Sequence, residues 1–168
     1  MVHIYTGNGK GKTTAMLGLI MRSLGYDRRI CLVQFMKPDS SWGEIRFLDQ
    51  QEGVMVFQFG AEKFVDPENP SEQDRKEAAL ALFKAREALE SGDFDLIALD
   101  EINVAVAWGL IPVEEQLALM DLVGDAELVM TGRYARPEAI EKADLVTEMR
   151  EIKHYYTQDV PARQGVEY

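Results

Sequence analysis

Between Gly7 and Lys12 the chain sets three glycines and two lysines in six positions, as Gly7-Asn8-Gly9-Lys10-Gly11-Lys12. Glycines let successive backbone N–H groups turn toward one point, and ammonium groups beside them favour an anion there, so the composition suits a phosphate. The phosphate-loop pattern G-x-x-x-x-G-K-[ST] aligns with Thr6, then Gly7 to Lys10, then Gly11, Lys12 and Thr13, with Thr14 following. Its first glycine is therefore a threonine, and Gly7 comes one place late. In such a loop Lys12 neutralises phosphate oxygens and the Thr13 hydroxyl is a ligand for a phosphate-bound Mg²⁺. The plainer reading is a flexible turn with no ligand. A strand-like run before it and an amphipathic pattern after it, with Leu17, Ile20, Met21 and Leu24, oppose that.

A site of this kind needs a carboxylate at the end of a buried strand, and the run DLIALDEINVAV supplies Asp100 and Glu101. One or both can hold the metal, directly or through water, because Mg²⁺ takes hard oxygen ligands and keeps several waters. The alternative is a pair of carboxylates that merely caps the next segment. Together the two motifs describe a nucleoside triphosphate with magnesium and leave open which bond breaks. Glu101 could position a water for attack on the γ-phosphate, or the same layout could hold the triphosphate still as a leaving group.

The elements that position these residues alternate. Short β-branched or aromatic runs at 2–6, 29–35, 54–59, 96–101, 127–132 and 145–149 are mostly apolar without strict alternation, which predicts strands covered on both faces, as in a parallel sheet. Between them, helices are expected at about 12–24, 43–51, 71–91, 112–123 and 137–142, which implies an α/β sandwich. The longest has the clearest grammar. Pro67 and Pro70 stop anything earlier, Ser71 caps it, Ala78, Ala81, Leu82, Ala85 and Leu89 recur at helical spacing, and Gly92 ends it. The polar segment 60–70 upstream reads as a surface loop, either a connection or a flap over a ligand.

At 168 residues with 46% apolar content the chain suits one domain over 1–168. It has no run of ~18 apolar residues for a membrane span and no signal segment ahead of its first strand, so a soluble, cytoplasmic protein is expected. Cys31 is the single cysteine and sits in an apolar run, which excludes an internal disulfide and a cysteine-rich metal site. With 29 acidic against 18 basic residues the net charge is -11, which argues against general nucleic-acid binding. His3 and His154 are too far apart in sequence, without cysteine partners, to suggest a zinc site. Trp42 and Trp108 are read as packing or interface residues rather than stacking platforms.

Beyond these motifs the sequence resembles the P-loop ATP:corrinoid adenosyltransferases, nearly end to end. The resemblance rests on TGNGKGKTTA (6–15), VQFMK (33–37), GE (43–44), LDEINVAV (99–106), TGRYARPE (131–138), ADLVTEM (143–149), KH (153–154) and ARQGVEY (162–168). It implies a P-loop, RecA-like three-layer sandwich with a mainly parallel central sheet. The implied reaction moves the 5′-deoxyadenosyl group of ATP to the cobalt of a reduced corrinoid, with triphosphate leaving in one piece. Cobalt(I) is the nucleophile, so no side chain has to be activated to attack carbon.

By the same resemblance, residues matching Thr13 and Glu101 hold Mg²⁺, Lys12 and Lys10 add positive charge, and Asn8 lies close to the nucleotide. Arg133 is a further contact for phosphate or corrinoid, against the alternative of an exposed arginine pairing with Glu138. Lys153 and His154 would meet the corrinoid's rim. Relatives carry an N-terminal extension over the active site, whereas this chain starts at its first strand, and they carry a tryptophan in the loop after the third strand. Here that loop offers Phe64, with Phe59 at its start. An aromatic that displaces the lower axial ligand makes cobalt(II) easier to reduce. A homodimer with a contact through Trp108, and a reductase that supplies cobalt(I), are also implied. Two other functions compete: a RecA-like ATPase or small P-loop kinase, and a non-catalytic module that binds corrinoid or ATP.

Overall fold

The computed structural model describes residues 1–38 and 42–167, so the last residue of the ARQGVEY run, Tyr168, lies outside the described residues. In chain order the elements are β1 (Val2–Thr6), α1 (Lys12–Leu24), β2 (Ile30–Phe35), α2 (Gly43–Leu48), β3 (Val54–Phe59), α3 (Glu72–Ser91), β4 (Leu96–Asp100), α4 (Ile102–Ala107), α5 (Val113–Asp121), β5 (Glu127–Thr131), α6 (Pro137–Lys142) and β6 (Leu145–Glu148). A short 3₁₀ turn, Tyr155–Gln158, follows. Among the described residues the strands form one six-stranded parallel sheet in the order β3-β2-β4-β5-β1-β6.

Side chains alternate across each central strand, and both faces are apolar. On β2, Cys31, Val33 and Phe35 join one core with α3, α4, α5 and α6, while Ile30 and Leu32 join the other with α1 and α2. β4 divides in the same way, Ile97 and Leu99 on one side and Leu96 and Ala98 on the other. This gives helix, sheet and helix layers, the P-loop three-layer sandwich that was expected. The period-2 division explains why these strands read as continuous apolar runs.

Burial on both faces does not extend to the sheet edges. β6 is exposed throughout, with Leu145 and Val146 open to solvent, and β3 is only partly buried. Each has a neighbour on one side only, so the helix layers do not close over it. Ser71 caps α3 as expected, accepting from the Asp74 backbone at 3.1 Å while Asp74 accepts from the Ser71 N–H at 2.8 Å. Gly92 ends that helix at φ 66°.

One helix escaped the sequence reading. α4 is six residues long and almost wholly buried, so INVAVA shows no polar face and no helical period to find. It begins directly after Glu101, whose left-handed backbone (φ 65°) turns the chain off the end of β4. Because all the strands run the same way, the loops after β1, β2, β4 and β5 meet at one edge of the sheet, where ligands of such folds gather.

Candidate functional site

The phosphate loop leaves β1 at Thr6 and enters α1 at Lys12, with Gly11 (φ 118°) as the N-cap. Its glycines answer to close packing as well as to a ligand. A Cβ on Gly7 (φ 94°) would lie 2.5 Å from the Met149 carbonyl oxygen, and one on Gly9 would lie 2.8 Å from it. The segment after β6 is fastened there, Gly9 N–H donating to the Met149 carbonyl at 2.6 Å and Met149 N–H to the Thr6 carbonyl at 2.8 Å. Thr6, where the loop pattern has its first glycine, is buried, and its hydroxyl oxygen accepts from Ala135 N–H at 3.3 Å. Thr6, Gly7 and the exposed Asn8 lie off the cleft wall, which begins at Gly9 and runs through Thr14.

The loop's lysines are engaged with the chain itself. The Lys12 ammonium donates to the carbonyls of Gly7 and Gly9, both at 2.8 Å. Burial, and then the charge of Arg133, lower its pKa from the ordinary lysine value. Lys10 donates to the Val166 carbonyl at 3.0 Å and stands 3.5 Å from the Glu167 carboxylate. Glu167 accepts in turn from the Tyr155 hydroxyl and from Arg163 N–H at 2.7 Å. The Tyr155 and Arg163 contacts hold its carboxyl down to about 2. The C-terminal turn is thereby strapped across the phosphate loop.

Opposite the loop, β4 ends in two carboxylates with different surroundings. Asp100 is fully buried and accepts from Thr13 Oγ1 at 3.0 Å, Gln34 Nε2 at 2.9 Å, Lys37 Nζ at 2.5 Å and Thr131 Oγ1 at 2.6 Å. The sheet order brings these together, since β2 and β5 flank β4 and Gln34 stands in register with Asp100. Burial alone would raise the Asp100 carboxyl; the Lys37 ammonium, with the hydroxyls of Thr131 and Thr13, holds it below the usual carboxylate value.

Glu101 instead faces the cleft from its left-handed turn, with its N–H fixed on Thr131 Oγ1 at 3.0 Å. Burial, and then the neighbouring Asp100 charge, raise its carboxyl above the ordinary value. A carboxylate so placed gains from a cation. Among the described residues no group of three His, Cys, Asp or Glu side chains forms a metal cage. Thr13 Oγ1 and the Glu101 carboxylate are hard oxygen donors on the cleft wall and could hold a cation that brings other oxygen ligands with it.

Between these parts lies a cleft of about 930 Å³, the upper end of the usual ligand range. Its far wall is the 61–65 loop, with Phe64 fully exposed at its tip, and Trp42, Trp108, Arg133 and His154 close its sides. Both tryptophans, read from the sequence as packing or interface residues, thus also line the cleft. Arg133 makes no pair with Glu138, which is met at 4.0 Å by Arg136 instead. Phe59 packs against the core and lies off the wall, and Lys153 is exposed outside it. His154 Nδ1 accepts from Tyr156 N–H at 3.0 Å.

Lys37, Gln34, Thr131 and the Tyr155–Glu167 contact were not singled out from the residues. Each lies tens of residues or more from the loop it serves, or in a tail without regular structure. Only the short runs VQFMK, TGRYARPE and ARQGVEY marked the positions of Gln34, Lys37, Thr131 and Glu167, and Tyr155 lies in none of them.

A family model described as ATP:corrinoid adenosyltransferase BtuR/CobO/CobP matches residues 1–168. A corrinoid adenosyltransferase of Pseudomonas aeruginosa is 33% identical over 166 residues, covering 98% of this chain and 82% of the relative. One of Escherichia coli is 34% identical over 169 residues, covering 100% of this chain and 85% of the relative. One of Salmonella typhimurium is 32% identical over 169 residues with the same coverage.

Proposed function

The chain belongs to the ATP:corrinoid adenosyltransferase family, and we propose that its cleft runs the family reaction with triphosphate on the Gly9–Thr14 loop, Mg²⁺ at Thr13 and Glu101, and corrinoid against the 61–65 loop. The reaction transfers the 5′-deoxyadenosyl group of ATP to the cobalt of a corrinoid. A cobalt(I) electron pair attacks the 5′ carbon, the cobalt–carbon bond forms, and the carbon–oxygen bond breaks with its pair on the departing triphosphate. Cobalt ends formally as cobalt(III), and no proton has to move. A site for this needs no general base and no protein nucleophile; it needs orientation, exclusion of water and cations for the leaving group.

The residues fit those tasks. Lys12 and Arg133 bring positive charge to the cleft, and Trp42, Trp108 and Phe64 give it apolar walls. The hydroxyl and carboxylate at Thr13 and Glu101 are hard oxygen ligands, and the Glu101 carboxylate accepts no hydrogen bond from the described residues. Mg²⁺ there would offset charge on the triphosphate. Asp100, already met by four donors, acts by holding Thr13 rather than by direct ligation. The observation that carries the reading is this one cleft, lined by the glycine loop, the Glu101 carboxylate and the exposed Phe64 together.

Cobalt(I) has to be delivered. The chain's single thiol, Cys31, is buried and pushed up to about 12, so it is no electron donor, and a reductase partner belongs to the reading. A homodimer rests on family resemblance alone. No described helix is long and apolar enough to cross a membrane.

The test is to incubate the protein with ATP, Mg²⁺ and chemically reduced corrinoid and follow the adenosylated product by absorbance. Triphosphate released only with reduced corrinoid supports the reading. ADP and phosphate as the main products overturn it in favour of an ATPase or kinase, and saturable binding without turnover overturns it in favour of a binding module.

A further inference from the structure

Lys37 has no part in the roles above, yet the fold fixes it with care. It follows β2 after Met36, which adopts a left-handed backbone at φ 56°, a conformation that costs a bulky residue of order 1 kcal/mol. Gly60 makes room for the turn, since a Cβ there would lie 2.6 Å from Lys37 N. Lys37 N–H then closes it by donating to the Phe59 carbonyl at 3.1 Å. The result is an ammonium on the cleft wall, 14% exposed, 2.5 Å from Asp100 Oδ2 and 5.2 Å from the Trp42 ring centroid.

Asp100 does not depend on this lysine for its hydrogen bonds. Gln34, Thr13 and Thr131 also donate to it, and Gln34 and Thr131 are fully buried while Lys37 opens on the cleft. Lys37 gives Asp100 a countercharge as well as a hydrogen bond, but a lysine serving Asp100 alone need not open on the cleft wall. The position suits an anion that enters the cleft. Lys12 is held by its own loop's carbonyls, Lys10 by the C-terminal turn and Lys37 by Asp100.

Resting on the adenosyl-transfer reading, we propose that Lys37 is a further leaving-group residue, which moves its ammonium from Asp100 to the triphosphate chain when nucleotide enters. As the carbon–oxygen bond breaks, charge grows on the triphosphate oxygens, and a cation that meets it there lowers the barrier. Asp100 keeps its three other donors when Lys37 departs.

Calorimetric titration of inorganic triphosphate in metal-free buffer tests this. Wild type should bind, and Lys37→Met should bind about 10- to 100-fold more weakly, the effect of one charge-assisted hydrogen bond. Because Lys37→Met also leaves Asp100 with one donor fewer, the decisive protein is the neutral pair Lys37→Met/Asp100→Asn, with folding checked by its unfolding midpoint. The proposal expects no recovery of triphosphate affinity in the double variant, and adenosine binding equal in all three proteins. Wild-type affinity in Lys37→Met, or recovery in the double variant, would reduce Lys37 to a support for Asp100 and overturn the proposal. Wild type that binds no triphosphate would instead sink the adenosyl-transfer reading, and the proposal with it.

Discussion

Thr13 and Asp100 stand 87 residues apart in the chain, and the Thr13 hydroxyl donates to Asp100 Oδ1 at 3.0 Å. Spending its hydrogen on Asp100 turns the hydroxyl's lone pairs toward the cleft, as a ligand of a metal or its water requires. Thr13→Ala should therefore cut adenosyl transfer by about 10- to 100-fold, the usual effect of losing such a group, while Thr13→Ser keeps most of the rate. The absorbance assay of adenosylcorrinoid checks both. Equal losses in the two variants would mean that the methyl group, not the hydroxyl, matters.

Glu101 carries a stability signature of its own. Its folded carboxyl titrates above the unfolded value because burial and Asp100 disfavour its charge. Without metal, stability from this group is greatest at low pH and declines as pH rises past the ordinary carboxylate value. Glu101→Gln should thus unfold at a higher temperature than wild type at pH 8 in chelator, and should need more Mg²⁺ for turnover. Thermal melts at pH 4 and pH 8 check the first expectation: the gap between variant and wild type should be present at pH 8 and shrink at pH 4.

Phe64 is fully exposed at the tip of the loop facing the phosphate site. Nothing in the fold needs a phenyl ring there, so Phe64→Ala should leave the unfolding midpoint unchanged within about 0.5 kcal/mol of stability. Displacing the lower axial ligand would leave cobalt(II) four-coordinate, and spectra of cobalt(II) corrinoid bound with ATP should lack that signal in this variant. An unchanged signal removes Phe64 from corrinoid handling.

Cys31 should be silent until the protein opens. Its folded thiol is raised by burial to about 12, which leaves a thiolate fraction of about 10⁻⁴ at pH 8. Alkylation with iodoacetamide at pH 8 should follow the rate of unfolding. The unfolded thiol ionises near 9.0, so this group's contribution to stability is complete below that pH and is lost as pH rises toward 12. Cys31→Ala should flatten that alkaline decline in urea-unfolding free energies.

The strand, glycine loop and helix that frame the candidate site were legible because they are local. A strand, a glycine turn and a helix N-terminus follow one another from Val2 to Leu24, and the Asp100–Glu101 pair ends a strand that reads as buried. What remained hidden joins distant segments. Nothing around Lys37 announces Asp100, 63 residues on, because adjacency comes from β2 lying beside β4. Gly7 and Gly9 looked like ligand glycines, and the approach of Met149 that they also permit depends on β6 pairing with β1. α4 stayed unseen because full burial removes the polar face by which helices are recognised.

The place of β1 in the sheet bears on how the protein is made. It is translated well ahead of its neighbours β5 and β6, with Val2 opposite Leu128 and His3 opposite Leu145. The apolar Val2 and Ile4 thus wait for partners until β5 and β6 have been made, a span in which a chaperone can hold them. The carbonyl of Met149 that fastens the glycine turn emerges later still. The glycine turn can take its ordered form on the nascent chain only after the segment that follows β6 has been synthesised, although the turn itself appears long before it.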